Sequence, residues 1–510
     1  MLKDLLAIEV LTFVALTAFY FVLTSKARAQ LGLGPVFVAV LMPAAGFLLP
    51  SVWLVYVACI AAVPLAVRNR NQILPLYLFS LFILPDLGLP EALGTLKLSS
   101  LNTSTCFAVG ALIAAFWRGG LRGKPSMLDL PAAVLLAVLV FMASRSTSAT
   151  NVLRELLDHV LYYGVPYILV SRLVRTPADF RRVAVALACA GCLLATLLVA
   201  EFVFHWPFFR RMYANVGLDL GSPLAVKFRE GNIRATGPFI EATAAAFCLT
   251  FALFAATQLR SAFGSKFYHL CVMGLLIVGV IAPQSRGALL GVAVGFAAIF
   301  LYRRSQTVIA ALLVGAAVLA VFFATVGVEP ETKSTTHFHS SETVEYRKRL
   351  VARGMEEFNR TPLTGDSLPN MLGRMADLRQ GEGIVDFVNT YLWVVLLSGL
   401  AGLVPFAAAF GLRLVNLWRV RPRLKRAGFT SQPAAFAFAA FVAPIAMLAF
   451  TSFGGRIAIM TFVGFGLGSA VLAAVARGKA RGGTILVAVA PGAGARAAQE
   501  PQRPRKPSPI

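Results

Sequence analysis

One arginine interrupts a long apolar stretch. Arg286 lies in Ile281-Ala-Pro-Gln-Ser-Arg-Gly-Ala-Leu-Leu290, inside a run that extends from Phe267 to Tyr302. A guanidinium in such a place suits one kind of chemistry well. Its planar fork pairs two oxygens of a phosphate or diphosphate at once, and it stays charged without a metal. Arg234 stands similarly before another apolar run, in Arg234-Ala-Thr-Gly-Pro-Phe239. Two such groups at a membrane interface would make a diphosphate clamp. The competing reading is that interfacial arginines only anchor spans among the headgroups. For Arg286 a tight turn gives no topological reason for a charge, which favours the clamp.

The elements that must position these arginines follow from the apolar pattern. At about 1.5 Å per residue, the run from Phe267 to Tyr302 is too long for one crossing of a roughly 30 Å hydrocarbon layer. It reads as two short spans with Arg286 at the hairpin between them, where water and headgroups reach it. The 510 residues are 58% hydrophobic and 14% charged, a balance that implies an all-α polytopic membrane protein. Candidate spans lie near 5–24, 31–49, 51–67, 72–86, 103–117, 127–143, 155–171, 183–204, 239–259, 267–283, 287–302, 307–327, 386–411, 433–452 and 457–476. The expected count is 12–15, because Pro43, Pro50, Pro64, Pro75 and Pro85 could turn some of the first four into re-entrant or interfacial pieces.

A formal charge of +24 invites a nucleic-acid reading, but the distribution excludes it. Lysines and arginines fall in short clusters between spans, as at Arg172, Arg175, Arg181 and Arg182, and most densely from Arg413 to Arg426. With those loops cytoplasmic, the positive-inside rule turns the intervening connections outward. The basic excess therefore reads as topology, with the lipid bilayer as partner and no nucleic acid.

Two outward segments are large enough to build a site. The first, from His205 to Glu241, carries Arg210, Arg211, Lys227, Arg229 and Arg234. The second, 328–387, reads as a small helical cap whose eight Lys and Arg residues face nine acids from Glu329 to Glu382. Within it Val344, Val351, Met355 and Phe358 share a helical face that would lie on the membrane or over a cavity mouth. His337-Phe-His339 has metal spacing but sits among Ser and Thr as an ordinary loop. The six cysteines all fall within apolar runs, and Cys189-Ala-Gly-Cys192 reads as core filler rather than a redox or metal pair. The first apolar run is span-length and lacks a small-residue cleavage site, so no cleavable signal is expected. The chain thus divides into N-terminal spans 1–182, a core 183–476 that includes the cap, and a basic, disordered cytoplasmic tail 477–510.

Together these residues resemble a family. Arg234-Ala-Thr-Gly-Pro-Phe239, Ser285-Arg286-Gly287, Tyr346-Arg347 leading to Pro362-Leu-Thr-Gly365, Asp386-Phe-Val-Asn-Thr-Tyr-Leu392 and Gly399-Leu-Ala-Gly402 look like the bacterial O-antigen ligase and polysaccharide polymerase superfamily over about 183–476. The resemblance implies an inverting, metal-independent membrane glycosyltransferase of the bacterial inner membrane, with its active site facing the periplasm. Its substrate would be an undecaprenyl-diphosphate-linked oligosaccharide, it would need no cofactor, and a chain-length regulator is a further partner the family admits. Arg234 and Arg286 would hold the diphosphate leaving group, with Arg229, Arg211, Arg347, Asn389 and Tyr391 binding substrate. The absence of any Asp-x-Asp pair fits, since nucleotide-sugar enzymes usually hold a metal through such carboxylates.

The chain departs from the family at one position. Related ligases usually carry His-Asn after the cap, whereas this sequence has Val388-Asn389. Valine accepts no proton, so Asp386 becomes a candidate base, weighed against capping the helix expected from Val388. The missing histidine shifts the expectation from ligation toward polymerisation of repeats. A lipid-linked oligosaccharide flippase is the rival from another class. Transporters, however, place their charges near the midplane in broken helices and often show inverted repeats, and this sequence shows neither pattern.

Overall fold

The computed structural model describes residues 1–88, 91–93, 96–99, 101–121, 126–145, 149–215, 226, 228–229, 231–303, 340–379, 385, 387–424 and 431–485. The architecture is all-α. Its helices run α1 (Leu2–Val22), α2 (Ser25–Leu31), α3 (Gly34–Leu48), α4 (Val52–Ala66), α5 (Arg70–Ser80), α6 (Thr103–Trp117), α7 (Leu130–Ser144), α8 (Ala149–His159), α9 (Val165–Leu173) and α10 (Pro177–Phe204). They continue with α11 (Arg210–Asn215), α12 (Ala242–Ala256), α13 (Lys266–Ile281), α14 (Arg286–Arg303), α15 (Ser340–Arg360), α16 (Leu368–Arg374), α17 (Thr390–Val420), α18 (Ser431–Met447) and α19 (Gly455–Ile485). Two small antiparallel hairpins join them, β1 (Glu91–Leu93) with β2 (Leu96–Ser99) and β3 (Phe228–Arg229) with β4 (Asn232–Ile233).

Among the described residues, seven helices are long and apolar enough to cross a membrane, and α2 with α3, bent by 49°, would make an eighth. Four shorter apolar helices, α4, α6, α12 and α13, stand beside them. The protein is therefore a polytopic helical membrane protein. Each span expected from the sequence coincides with a helix, except 307–327, which lies outside the described residues. Of the first four expected segments only α1 is long and apolar enough to cross alone, which agrees with the expectation that some of them are not full spans. Pro43, Pro64 and Pro75 lie inside α3, α4 and α5, and the interruption falls instead at Gly32, whose φ is 67°. α5, at 11 residues, is well short of a span.

At the centre lies α10, opened by a capping box between Thr176 and Asp179 with Pro177 in its first turn. It packs against α1, α5, α12 and α13. Small residues permit these approaches: a Cβ at Gly279 would meet that of Ala195 at 2.5 Å, and one at Gly191 would meet that of Ala252 at 2.3 Å. Cys189 and Cys192 are buried within α10, as expected of filler. The segments either side of Arg286 form two helices joined by a short turn, but they are not a packed pair. The first of them, α13, leans on α10 and α12, while α14 packs along α18.

The cap helix α15 turns inward a face different from the one its apolar pattern suggested. Tyr346, Leu350, Gly354 and Glu357 are buried, whereas Val351 and Met355 are 47% and 48% exposed. Shape decides it: Gly354 admits Leu392 of α17, whose Cδ1 would lie 2.8 Å from an added Cβ. Charge pairing completes it, because Arg374 donates from Nε to Glu357 at 2.5 Å and from Nη2 to Asp366 at 2.7 Å. Partial burial alone would raise the Asp366 pKa, but bonds from Arg374, the Ser367 amide and the Asn370 side chain hold it below the ordinary carboxylate value.

The cap is joined to the membrane helices by backbone. Leu400 and Ala401 donate to the carbonyls of Pro362 and Leu363, each at 2.9 Å, and the Asp366 amide donates to Leu396 at 2.9 Å. This docking requires Gly399, which leaves helical geometry at φ 59°, and Gly365 at φ 64°. A Cβ on Gly399 would sit 2.3 Å from the Leu363 carbonyl carbon. Gly399→Ala is thus expected to cost about 1–3 kcal/mol from that backbone conformation alone, with the collision adding to it. A lower Tm in detergent and lost hydrogen-exchange protection across 361–401 would register the change; an unaltered exchange pattern would contradict it.

Candidate functional site

The segment carrying Arg234 begins with the β3–β4 hairpin, which turns at Gly231 (φ 77°) and sets Arg229 opposite Asn232. Both arginines reach one target. Arg229 donates from Nη1 to the Gln284 carbonyl at 2.7 Å, and Arg234 donates from Nε to the Pro283 carbonyl at 3.4 Å. Those carbonyls belong to the turn just ahead of Arg286. Two motifs about fifty residues apart in sequence are in this way tied together through main-chain acceptors.

The turn itself is tightly specified. Gln284 adopts a left-handed φ of 53°, its amide bonded to the Ile281 carbonyl at 2.8 Å. Ser285, 7% exposed, accepts from the Ala288 amide and caps α14. Arg286 is the first residue of that helix and is exposed. The positive end of a helix dipole favours an anion beside it. Gly287 lets Phe450 close in, since an added Cβ would lie 2.9 Å from that of Phe450. Over the same ring, at 5.9 Å, rests the Arg347 guanidinium from the cap. A hollow of about 180 Å³, open solvent included, lies here between Ser285, Gly287, Thr243 and Phe450.

The remainder of the Arg234 segment is clamped on several sides. Thr236 and Gly237 donate their amides to Glu201, at 3.2 and 2.6 Å. Tyr213 donates to the Pro238 carbonyl at 2.8 Å, and the Asp86 amide to the same carbonyl at 3.3 Å. Phe239 is 1% exposed beneath the Arg456 guanidinium, 5.7 Å from its ring centre. Arg456 is itself buried: it pairs with Asp86 at 3.2 Å and donates to the Leu84 carbonyl at 2.8 Å and to Ser104. A larger hollow, about 440 Å³ with its open mouth, is bounded by Glu201, Arg210, Tyr213, Arg234 and Phe239.

Of the residues singled out in the sequence, Arg229, Arg234, Arg286 and Arg347 converge on this locus. Asn389 and Tyr391 take structural work instead. The Asn389 side chain caps α17 by accepting from the amides of Tyr391 and Leu392, so the helix begins at Thr390 rather than near Val388 and the cap is not Asp386. The Tyr391 hydroxyl donates to the Ile445 carbonyl at 2.7 Å. Arg211 turns away to Asp4 at 3.4 Å, beside Trp206. Asp386 and the pair His337 and His339 lie outside the described residues.

Sequence reasoning passed over Glu201, Asp86 and Arg456. Each carried a signal, namely an ionisable group at the edge of an apolar run, where a membrane protein keeps such a group only for pairing or function. No curated protein sequence matches the chain. Residues 271–407, which include the Arg286 turn, the described part of the cap and the first half of α17, match the family model described as O-antigen ligase, which supports the resemblance to the O-antigen ligase and polysaccharide polymerase superfamily.

Proposed function

We propose that this membrane glycosyltransferase polymerises undecaprenyl-diphosphate-linked oligosaccharide repeats at the periplasmic face of a bacterial inner membrane, in the synthesis of exopolysaccharide, capsule or O-antigen. The observation that supports this reading best is the convergence of cations. Arg229 and Arg234 bond the turn that presents Arg286, and Arg347 approaches from the cap. A diphosphate bound there gains charge-assisted hydrogen bonds, and these strengthen as its anomeric bond breaks and negative charge grows on the leaving oxygen. No metal is required for that stabilisation, because guanidinium groups supply the positive charge. An acceptor hydroxyl enters under the cap and attacks the anomeric carbon from the opposite face, inverting it.

The second reading is ligation of a finished glycan to a lipid acceptor, and the description of the matching family favours it. Val388, standing where related ligases carry histidine, favours polymerisation. Deleting the gene and analysing lipid-linked glycans by gel and mass spectrometry separates the two. Single repeats accumulating without long chains are expected. Full-length chains stranded on undecaprenyl diphosphate would establish ligation instead, and repeats trapped on the cytoplasmic side would mean transport.

A further inference from the structure

The larger hollow has a carboxylate in its wall. Glu201 lies three residues before the end of α10 and is 2% exposed. It is the one acid among the described residues that line the hollow, and Arg234 lines the same space. Its Oε2 is held by the Thr236 and Gly237 amides, and no hydrogen bond among the described residues occupies Oε1. The neighbouring Tyr213 hydroxyl is already committed to the Pro238 carbonyl.

We propose that Glu201 is the general base of the glycosyl transfer, an assignment that rests on the reading given above. Two amides fix one oxygen and so aim the other, which is the arrangement a proton acceptor needs. Because Arg234 borders the same chamber, one hollow can serve the departing diphosphate and, on the opposite face of the anomeric carbon, the hydroxyl that replaces it. In the step, the acceptor oxygen bonds to the anomeric carbon while the bond from that carbon to the diphosphate oxygen breaks. Its electron pair leaves with the diphosphate, the hydroxyl proton passes to Oε1, and it is released to water before the next transfer. The base is thereby supplied from α10 rather than from the cap exit, where Val388 cannot accept a proton.

A purely structural role is the competing account, since Glu201 also pins the turn at Gly237, whose φ is 57°. Glu201→Gln separates the two, because glutamine keeps an acceptor oxygen for both amides and nearly the same volume but takes no proton. The assay uses full-length protein in membrane vesicles, with lipid-linked repeats extracted from the deletion strain as substrate. For Glu201→Gln the elongation rate is expected to fall about 10²- to 10⁴-fold, with the half-saturating substrate concentration and protein level unchanged. Wild-type rates in that variant, or failure of it to accumulate, would reduce Glu201 to a structural residue. Loss of activity in Asp386→Asn with an active Glu201→Gln would move the role to Asp386. Arg286→Ala in the same assay keeps the two ideas apart: an inactive Arg286→Ala beside an active Glu201→Gln removes the base alone, and activity in both removes the diphosphate site as well.

Discussion

Arg286→Ala is expected to abolish long-chain glycan while the protein accumulates in the membrane at its wild-type level. Both halves follow from where the side chain sits. Arg286 is exposed at the first position of α14, and the turn is fixed by Ser285, Gln284 and the bonds from Arg229 and Arg234. Removing the guanidinium therefore leaves the fold intact. On the proposed reading, what it removes is a preorganised positive group aimed at charge that grows only in the transition state, a loss worth about 10²- to 10³-fold in rate per donor elsewhere. Below that rate a chain built by repeated transfer never becomes long. Arg286→Lys should recover little, because an ammonium keeps the charge but loses the two-pronged geometry. Gel analysis of surface glycan in a complemented deletion strain, beside an immunoblot, measures both quantities. Persistent long chains in the alanine variant would end the diphosphate role.

Arg456→Ala should have the largest effect on folding. Arg456 is 1% exposed and pairs with Asp86, while also bonding Leu84 and Ser104. Breaking a buried pair from one side leaves the partner charge stranded, at a cost of about 3–5 kcal/mol. Phe239, which lies under this guanidinium, would lose its cover, and the Arg234 segment would loosen with it. The double variant Arg456→Met with Asp86→Leu removes both charges together and should recover much of the lost stability. Fluorescence-detected size-exclusion chromatography after a heating series would report the order wild type, double variant, Arg456→Ala. A single variant as stable as wild type would show that the pair contributes nothing net.

How much of this was legible in the sequence depends on which force decided each feature. The spans were readable because burial in lipid demands long apolar runs, and helices stand at each expected place among the described residues. Proline pointed to the bent and shorter early segments, although its ring is accommodated within the helices at Pro43, Pro64 and Pro75. The inward face of α15 was illegible for a different reason. Periodicity counts apolar residues, whereas Gly354 and the paired Glu357 face inward through shape and charge matching with Leu392 and Arg374. At the site, Arg286 announced itself by standing inside apolar sequence and Arg234 by standing just before it. Glu201 and Arg456 did so as plainly, but their partners Gly237 and Asp86 are distant in sequence and only folding discloses them.

The junction between the cap and α17 is written almost wholly in main-chain atoms. Amides of Leu400, Ala401 and Asp366 meet carbonyls of Pro362, Leu363 and Leu396, with Gly365 and Gly399 at the points of closest approach. A joint of that kind does not read side chains. The joint itself therefore tolerates other side chains at Leu363, Thr364 and Leu400, provided both glycines persist, so the sequence over this junction can drift while the cap stays seated.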